Sequence, residues 1–358
     1  MKVTIATGLY PPEIGGPATH TKLMEDWLKE AGHEVRVVAF KGSRHLPKLF
    51  RHIHYTFRLF WRVWSTQIIF AQDVLSVGLP AAIVAALTGK KLFVRVPGDY
   101  AWEQSVQRFG VTDTIDEFQI KKYNFSVELL RRLQRFVVRR ATVVVTPSDY
   151  FNRLVTAWGV PSERVQTVYN GVDLNIVAHP VNKPSSLVMV TSARLVPWKG
   201  VNTVIRLIAK LPSWHLVVLG DGPELSKLKT LADELGVSNR IHFHGSVKRE
   251  EVFSWCVAAD VFVLNTNFES FSYQIVEAMY SGTPVITTNV GSIPELITDR
   301  QEGWLFNYND IDGMENGVRS VLAHKADWSL ITKQAKAKAQ TFSVERTMKE
   351  LIALMQKK

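Results

Sequence analysis

Twelve short β-branched runs, six in each half of the chain, alternate with stretches whose apolar residues recur every three or four positions. In the first half they are VTIAT, HEVRVVAF, QIIFAQ, KLFVRV, ATVVVTP and RVQTVY; in the second they are SLVMVTSA, HLVVLG, RIHFHG, DVFVLN, TPVITT and GWLF. Most are near-continuously apolar, and a strand with no polar face must be covered on both sides. Parallel strands joined by crossover helices meet that demand. The pattern therefore predicts an α/β chain of two doubly wound, Rossmann-like domains. Length agrees, because 358 residues exceed what one ordinary core holds.

The periodic pattern lapses in NGVDLNIVAHPVNKPSS, between Asn170 and Ser186, where proline, asparagine and serine take over. This predicts a first domain over residues 1–172, a hinge over 173–186 and a second domain over 187–335. Residues 336–358, with Phe342, Met348, Leu351 and Leu354 at near-helical spacing, predict a terminal helix whose docking site the sequence leaves open. A hydrophobic content of 46% with 21% charged residues excludes a disordered or fibrous chain. The single cysteine, Cys256, excludes an internal disulfide framework and suits a reducing cytoplasm; within FSWCVAADVFVL it reads as a core residue. The opening MKVTIATGLYPPE lacks the apolar region of a signal peptide, and the longest apolar run, VGLPAAIVAAL, falls short of the ~20 residues that span a bilayer.

Charge is placed unevenly. Of the net +10, residues 1–180 supply 23 cationic against 15 acidic side chains, and the remainder 20 against 18. No acidic residue lies between Glu34 and Asp73, so an acidic partner is expected for the first half. Within that stretch Leu46, Leu49, Phe50, Ile53, Phe57, Phe60 and Trp64 follow helical spacing, with Lys48, Arg51, Arg58 and Arg62 on the other side. Such an amphipathic basic helix either packs its apolar stripe on the sheet or lies on an anionic membrane surface. A second basic segment, Lys121 and Lys122 followed by LLRRLQRFVVRR, suits a lipid-linked or polyanionic acceptor at the inner leaflet. The basic residues lie on helical patterns rather than a stacking platform, and no reader module is present, so no nucleic-acid partner is expected.

Doubly wound sheets bind ligands at the carboxyl ends of their strands, and the motifs cluster there. In TSARLVPWKG a strand leads to Arg194 and Lys199, and Gly200 opens a helix; two cations beside a helix N-terminus make an anion site that a diphosphate fits. VVLGDGPE ends a strand with Gly220, Asp221 and Gly222, the kind of turn that lets backbone approach a phosphate. In NFESFSYQIVEAM, Glu269 falls in a loop and Ser270 or Ser272 caps a helix that carries Glu277. A carboxylate accepts two hydroxyl hydrogen bonds at once, so Glu277 can hold a ribose diol and Glu269 the hydroxyls of a second sugar. TPVITTNVGSIPEL adds Gly291 and Ser292 in a further loop. In the first half, Gly15 and Gly16 precede a helix and expose amides, and FVRVPGDYAWEQ puts Asp99 and Glu103 at a strand end, where Asp99 is either a base or a helix cap.

In their order, YPPEIGG, NGVD, ARLVPWKG, LGDGPE, the pair Glu269 and Glu277, and VGSIPEL resemble family 4 glycosyltransferases of the GT-B architecture, over nearly the whole length. The resemblance implies two Rossmann-like domains facing a central cleft and a retaining, metal-independent transferase using a UDP- or GDP-linked sugar. Arg194 and Lys199 would bind the diphosphate, Glu277 the ribose and Glu269 the transferred sugar. Amides around Phe271 and Ser272 would approach sugar or phosphate, as would Gly220, and Gly16 would lie beside the diphosphate. Gly15, Gly16, Asp99 and Glu103 would face the acceptor, a polysaccharide or lipid-linked chain in surface polysaccharide or glycolipid assembly. The setting would be the cytoplasm or the inner face of its membrane. A phosphorylase or a sugar-nucleotide isomerase on the same fold is the alternative, followed by a basic nucleic-acid or membrane-binding protein without catalysis. Many relatives carry glycine at the positions of Ser272 and Ser292, and a histidine where Gly98 and Asp99 stand.

Overall fold

The expected runs all form strands, and every pair among them is parallel. The structure, a computed structural model, describes residues 1–13 and 16–357, apart from the side chains of Lys48 and Leu49. It divides into two units, the first of Met1–Tyr169 with Met348–Lys358 and the second of Asn170–Thr347.

In the first unit the strands are β1 (Lys2–Thr7), β2 (Glu34–Ala39), β3 (Ile68–Ala71), β4 (Lys91–Arg95), β5 (Val143–Thr146) and β6 (Val165–Thr167). Its helices are α1 (Gly16–Glu30), α2 (Lys48–Arg62), α3 (Gly78–Thr88), α4 (Tyr100–Phe109), α5 (Ile115–Ile120), α6 (Phe125–Arg140) and α7 (Asp149–Ala157). The sheet order is β2-β1-β3-β4-β5-β6. The chain thus runs outward from β1 to β2, then returns to β3 on the other flank of β1. That reversal opens a crevice at the carboxyl ends of β1 and β3.

The second unit repeats the plan. Its strands are β7 (Val188–Ser192), β8 (His215–Leu219), β9 (Ile241–Gly245), β10 (Val261–Leu264), β11 (Val285–Thr288) and β12 (Trp304–Phe306), ordered β12-β11-β10-β7-β8-β9. The helices are α8 (Val201–Lys210), α9 (Leu225–Glu234), α10 (Arg249–Ala258), α11 (Tyr273–Ser281), α12 (Ile293–Leu296), α13 (Ile311–Ala323), α14 (Lys325–Ala339) and α15 (Val344–Lys357), the last running on into the first unit's terminal segment. Here the reversal lies between β7 and β10, which pair through Val261 with Met189 and Phe262 with Val190.

Burial follows the strand order. The inner strands β3, β5, β7, β10 and β11 are buried at every residue, whereas the edge strand β2 alternates. In the second unit Val204, Ile205, Leu207 and Ile208 of α8 meet Leu216 and Val218 of β8, with Trp214 and Trp328 closing the cluster. Each such side chain contributes about 2 kcal/mol when withdrawn from water. Cys256 is buried and free, as a core residue should be, and burial pushes its thiol up. Met348, Leu351 and Met355 of the terminal segment are also buried. Among the described residues no helix is long and apolar enough to cross a membrane.

One helix departs from the simpler expectation. α2 docks through Tyr55, Leu59 and Val63, each 0% exposed, and the Tyr55 hydroxyl donates to the Val38 carbonyl at 2.7 Å. The stripe expected to pack inward instead leaves Phe50, Ile53, Phe57 and Trp64 exposed, together with Trp61. The helix is anchored by the face next to that stripe, so its amphipathic pattern does not mark the buried side.

Candidate active site

Arg194, Lys199 and Glu269 lie on the two loops that leave β7 and β10, the adjacent strands at which the second sheet reverses. Arg194 is exposed, just beyond β7, and makes no ion pair among the described residues. Lys199 ends a short 3-10 turn, Pro197–Lys199, and Gly200 joins that turn to α8. From the other loop Glu269, 5% exposed, pairs with the Lys199 ammonium. The sequence separates these partners by 70 residues; the parallel crossover brings them together.

Hydrogen bonds tie the two loops to each other and to their neighbours. The Trp198 carbonyl accepts from the Asn267 amide at 2.9 Å and from Thr266 Oγ1 at 3.0 Å. Asn265 Nδ2 donates to the Gly200 carbonyl at 3.2 Å and to Asn309 Oδ1 at 3.0 Å, and the Asn309 amide returns a bond to Asn265 Oδ1 at 2.9 Å. Thr288 Oγ1 donates to the Thr266 carbonyl at 2.6 Å, tying the loop to the end of β11. A third loop presses on Glu269 itself: the Ser292 amide donates to its carbonyl at 3.1 Å. Gly291 has φ +55°, and a Cβ there would lie 2.4 Å from that carbonyl oxygen. Burial raises the Glu269 carboxyl above the ordinary range, with Lys199 working against it.

Ser272 is the N-cap of α11, and its hydroxyl accepts from the Ile275 amide at 3.4 Å. The Phe271 side chain is buried against Phe342 and Tyr273, at centroid distances of 5.7 and 5.5 Å. Within α11, Glu277 is 4% exposed. Its Oε1 accepts from Arg249 Nε at 2.5 Å, and the same guanidinium donates through Nη2 to the Asp173 carbonyl at 2.7 Å. Burial raises the Glu277 carboxyl, and Arg249 opposes the shift. Arg249 opens α10 and has no counterpart in the sequence reading. Its only signal is a basic residue after the end of β9, which the spacing of Glu269 and Glu277 does not indicate.

Gly220 is required by the fold at this turn. Its amide donates to the Gly245 carbonyl at 2.7 Å, and a Cβ would lie 1.9 Å from the Ala193 carbonyl oxygen. The close approach that the glycine permits is therefore to the loop after β7, the loop that carries Arg194.

The first unit has a pocket of about 790 Å³ beyond the carboxyl ends of β1 to β4, at its own point of reversal. The titratable side chains on its wall are Arg44, Arg51, His52, Asp73, Tyr100 and Glu103. Burial raises the Asp73 carboxyl, opposed by backbone amides at the start of α3. Of these groups the sequence reading marks only Glu103 as a site candidate; Asp73 and Tyr100 sit at strand ends without a recognisable motif. Gly16 is the exposed first residue of α1, with open space where a Cβ would stand. Gly15 lies outside the described residues.

Asp99 is corrected to a structural residue. It is 1% exposed and caps α4, accepting from the Trp102 amide at 3.1 Å, Gln134 Nε2 at 3.0 Å and Gln119 Nε2 at 2.9 Å. Buried and already accepting three hydrogen bonds from α4 and two glutamines, it is held as part of the fold. Asp99→Ala removes the acceptor shared by three donors and should cost about 3 kcal/mol of stability in urea unfolding.

Comparisons with known proteins bear on the family and the fold. The profile described as Glycosyl transferases group 1 matches residues 175–340, and that described as Glycosyltransferase Family 4 matches residues 14–176. A D-inositol 3-phosphate glycosyltransferase of Mycobacterium marinum is 29% identical over 238 residues, 62% of this chain and 51% of that protein. A lipopolysaccharide core biosynthesis glycosyltransferase of Rhizobium meliloti is 32% identical over 154 residues, 43% of this chain and 44% of that one. The chain thus spans about half the length of these curated relatives. Anabaena HepE in complex with UDP superposes with a TM-score of 0.78 at 19% identity, covering all of both chains, a likeness of fold. Two doubly wound units with these loops at the reversal of the second sheet make this a protein of the GT-B class. Within that class, the chain belongs to the family 4 glycosyltransferases.

Proposed function

We propose that the protein is a retaining glycosyltransferase. It takes a sugar from a UDP- or GDP-linked donor and attaches it to an acceptor hydroxyl of a cell-surface polysaccharide or lipid-linked glycan, at the inner face of the cytoplasmic membrane. The observation that carries this reading is the Lys199–Glu269 pair, held between the loops at the β7/β10 reversal with Arg194 exposed beside it. A lysine ammonium has three protons to give, and Glu269 takes only part of that capacity, leaving donors for an anion. Breaking the bond from C1 to the diphosphate oxygen builds negative charge on that oxygen. Cations fixed in advance at the site of developing charge usually supply the largest catalytic effect. Arg194 and Lys199 take that role in the proposal, without a metal ion.

The new bond joins the acceptor oxygen to C1 on the face that the diphosphate leaves, and the departing oxygen takes the acceptor proton. Asp99 is left out because its oxygens are already occupied. Glu277 holds the ribose diol, Glu269 the hydroxyls of the sugar, and the N-terminal turn of α11 around Phe271 and Ser272 lies against sugar or phosphate. Gly16 and Glu103 stand on the acceptor side. Support for a UDP-linked sugar comes from HepE, solved with UDP and with UDP-glucose. Support for a surface glycan comes from the lipopolysaccharide relative.

A panel of UDP, GDP and ADP with their sugar conjugates, read by thermal shift, tests this. A nucleotide at 100 times its Kd stabilises by about 2.7 kcal/mol, a rise of about 5 °C or more in Tm. The rise should vanish in Glu277→Ala and Arg194→Ala. It should also shrink on acidification at a pH above the ordinary carboxylate value of 4.5, because the ribose hydroxyls need the ionised Glu277, whose pKa burial raises. No rise with any nucleotide at millimolar concentration, or an equal rise in both variants, would exclude the donor site.

A further inference from the structure

The solvent face of α2 is apolar where an ordinary surface helix is charged. Phe50, Ile53, Phe57, Trp61 and Trp64 are 61, 47, 61, 68 and 61% exposed. Steps of three and four residues set them on one stripe. Neighbouring α3 adds Ile83 and Leu87, one turn apart and 43 and 70% exposed. A single exposed aromatic is ordinary, but a contiguous group of seven large apolar side chains marks a surface that meets something else.

The charge around this face says what. No acidic residue lies between Glu34 and Asp73. Arg62 is exposed at the end of the stripe, Lys41 is exposed in the turn before α2, and Lys90 Nζ donates to the Trp64 carbonyl at 3.4 Å. A second copy of the chain would bring the same cations face to face, whereas anionic lipid complements them and accepts aromatic rings at the level of its headgroups. The face also continues into the 790 Å³ pocket, because Ile53 and Ile83 form part of its wall.

We infer that the first unit docks on an anionic bilayer through the stripe from Phe50 to Trp64, with Ile83 and Leu87, so that the mouth of its pocket lies at the lipid surface. An acceptor carried on a lipid then enters without leaving the bilayer. That last step rests on the transferase reading, whereas the docking stands apart from it.

The test is flotation of the full chain with vesicles of phosphatidylcholine alone and of phosphatidylcholine mixed with phosphatidylglycerol. Flotation with the anionic vesicles at low salt is expected to weaken as salt is added, and lipids brominated along their chains should quench tryptophan emission. Phe57→Ser/Trp61→Ser changes only exposed side chains and should lower binding by about tenfold or more, with Tm and its rise with nucleotide unchanged. Docking is overturned if the wild type does not float with anionic vesicles, if the double variant floats equally, or if the variant instead abolishes a self-association seen without lipid. Vesicle binding with no thermal response to any nucleotide would keep the docking and reject the transferase.

Discussion

Lys199→Ala is expected to lower kcat/KM for a nucleotide-sugar donor by about 10³, because in the proposed reaction it removes a fixed cation from the position where charge develops on the leaving diphosphate. The same change leaves Glu269 buried without its partner, and breaking a buried pair on one side costs about 3–5 kcal/mol. The two effects can be separated. In Lys199→Met/Glu269→Leu the uncompensated charge is gone, so the urea midpoint should return toward that of the wild type while turnover stays low. If the double variant recovered activity along with stability, Lys199 and Glu269 would both be structural residues, and the leaving-group role would fall to Arg194 alone.

Gly291→Ala should have the second largest effect, although the residue carries no functional group. A Cβ at φ +55° is strained by about 1–2 kcal/mol. It would also stand 2.4 Å from the Glu269 carbonyl oxygen, where relief requires backbone to move at a further cost of about 1–3 kcal/mol. That movement carries Glu269 away from Lys199. The expected result is a loss of about 2–5 kcal/mol in urea unfolding, with a fall in kcat larger than the folded fraction explains. A variant as active as the wild type per folded molecule would mean that the loop bearing Glu269 tolerates displacement.

Much of this arrangement was legible in the sequence, and the reasons differ from element to element. The strands were readable because parallel strands covered on both faces leave an apolar signature such as VVVT in β5 or VFVL in β10. Arg194, Lys199 and Glu269 were readable because a doubly wound sheet gathers the residues that follow its strands. Arg249 was not, because its pairing with Glu277 spans 28 residues and depends on how α10 lies beside α11. Asp99 was ambiguous for a similar reason: Gln119 and Gln134, 20 and 35 residues on, decide that it is a cap. The α2 stripe is legible in the sequence, which leaves open the side it faces. A helix with two apolar faces, one through Tyr55 and Leu59 and one through Phe57 and Trp61, gives the same periodicity whichever of them is buried.

The first unit is assembled from two separate stretches, Met1–Tyr169 and Met348–Lys358, and Met348, Leu351 and Met355 are buried. During synthesis its six strands emerge before the second unit is made. The segment that completes it comes only afterwards, so the apolar surface awaiting Met348, Leu351 and Met355 faces water, or a chaperone, while the second unit's strands are still being added. A nascent chain from which β12 has just emerged would therefore carry every strand of the second sheet together with a first unit still without Met348, Leu351 and Met355.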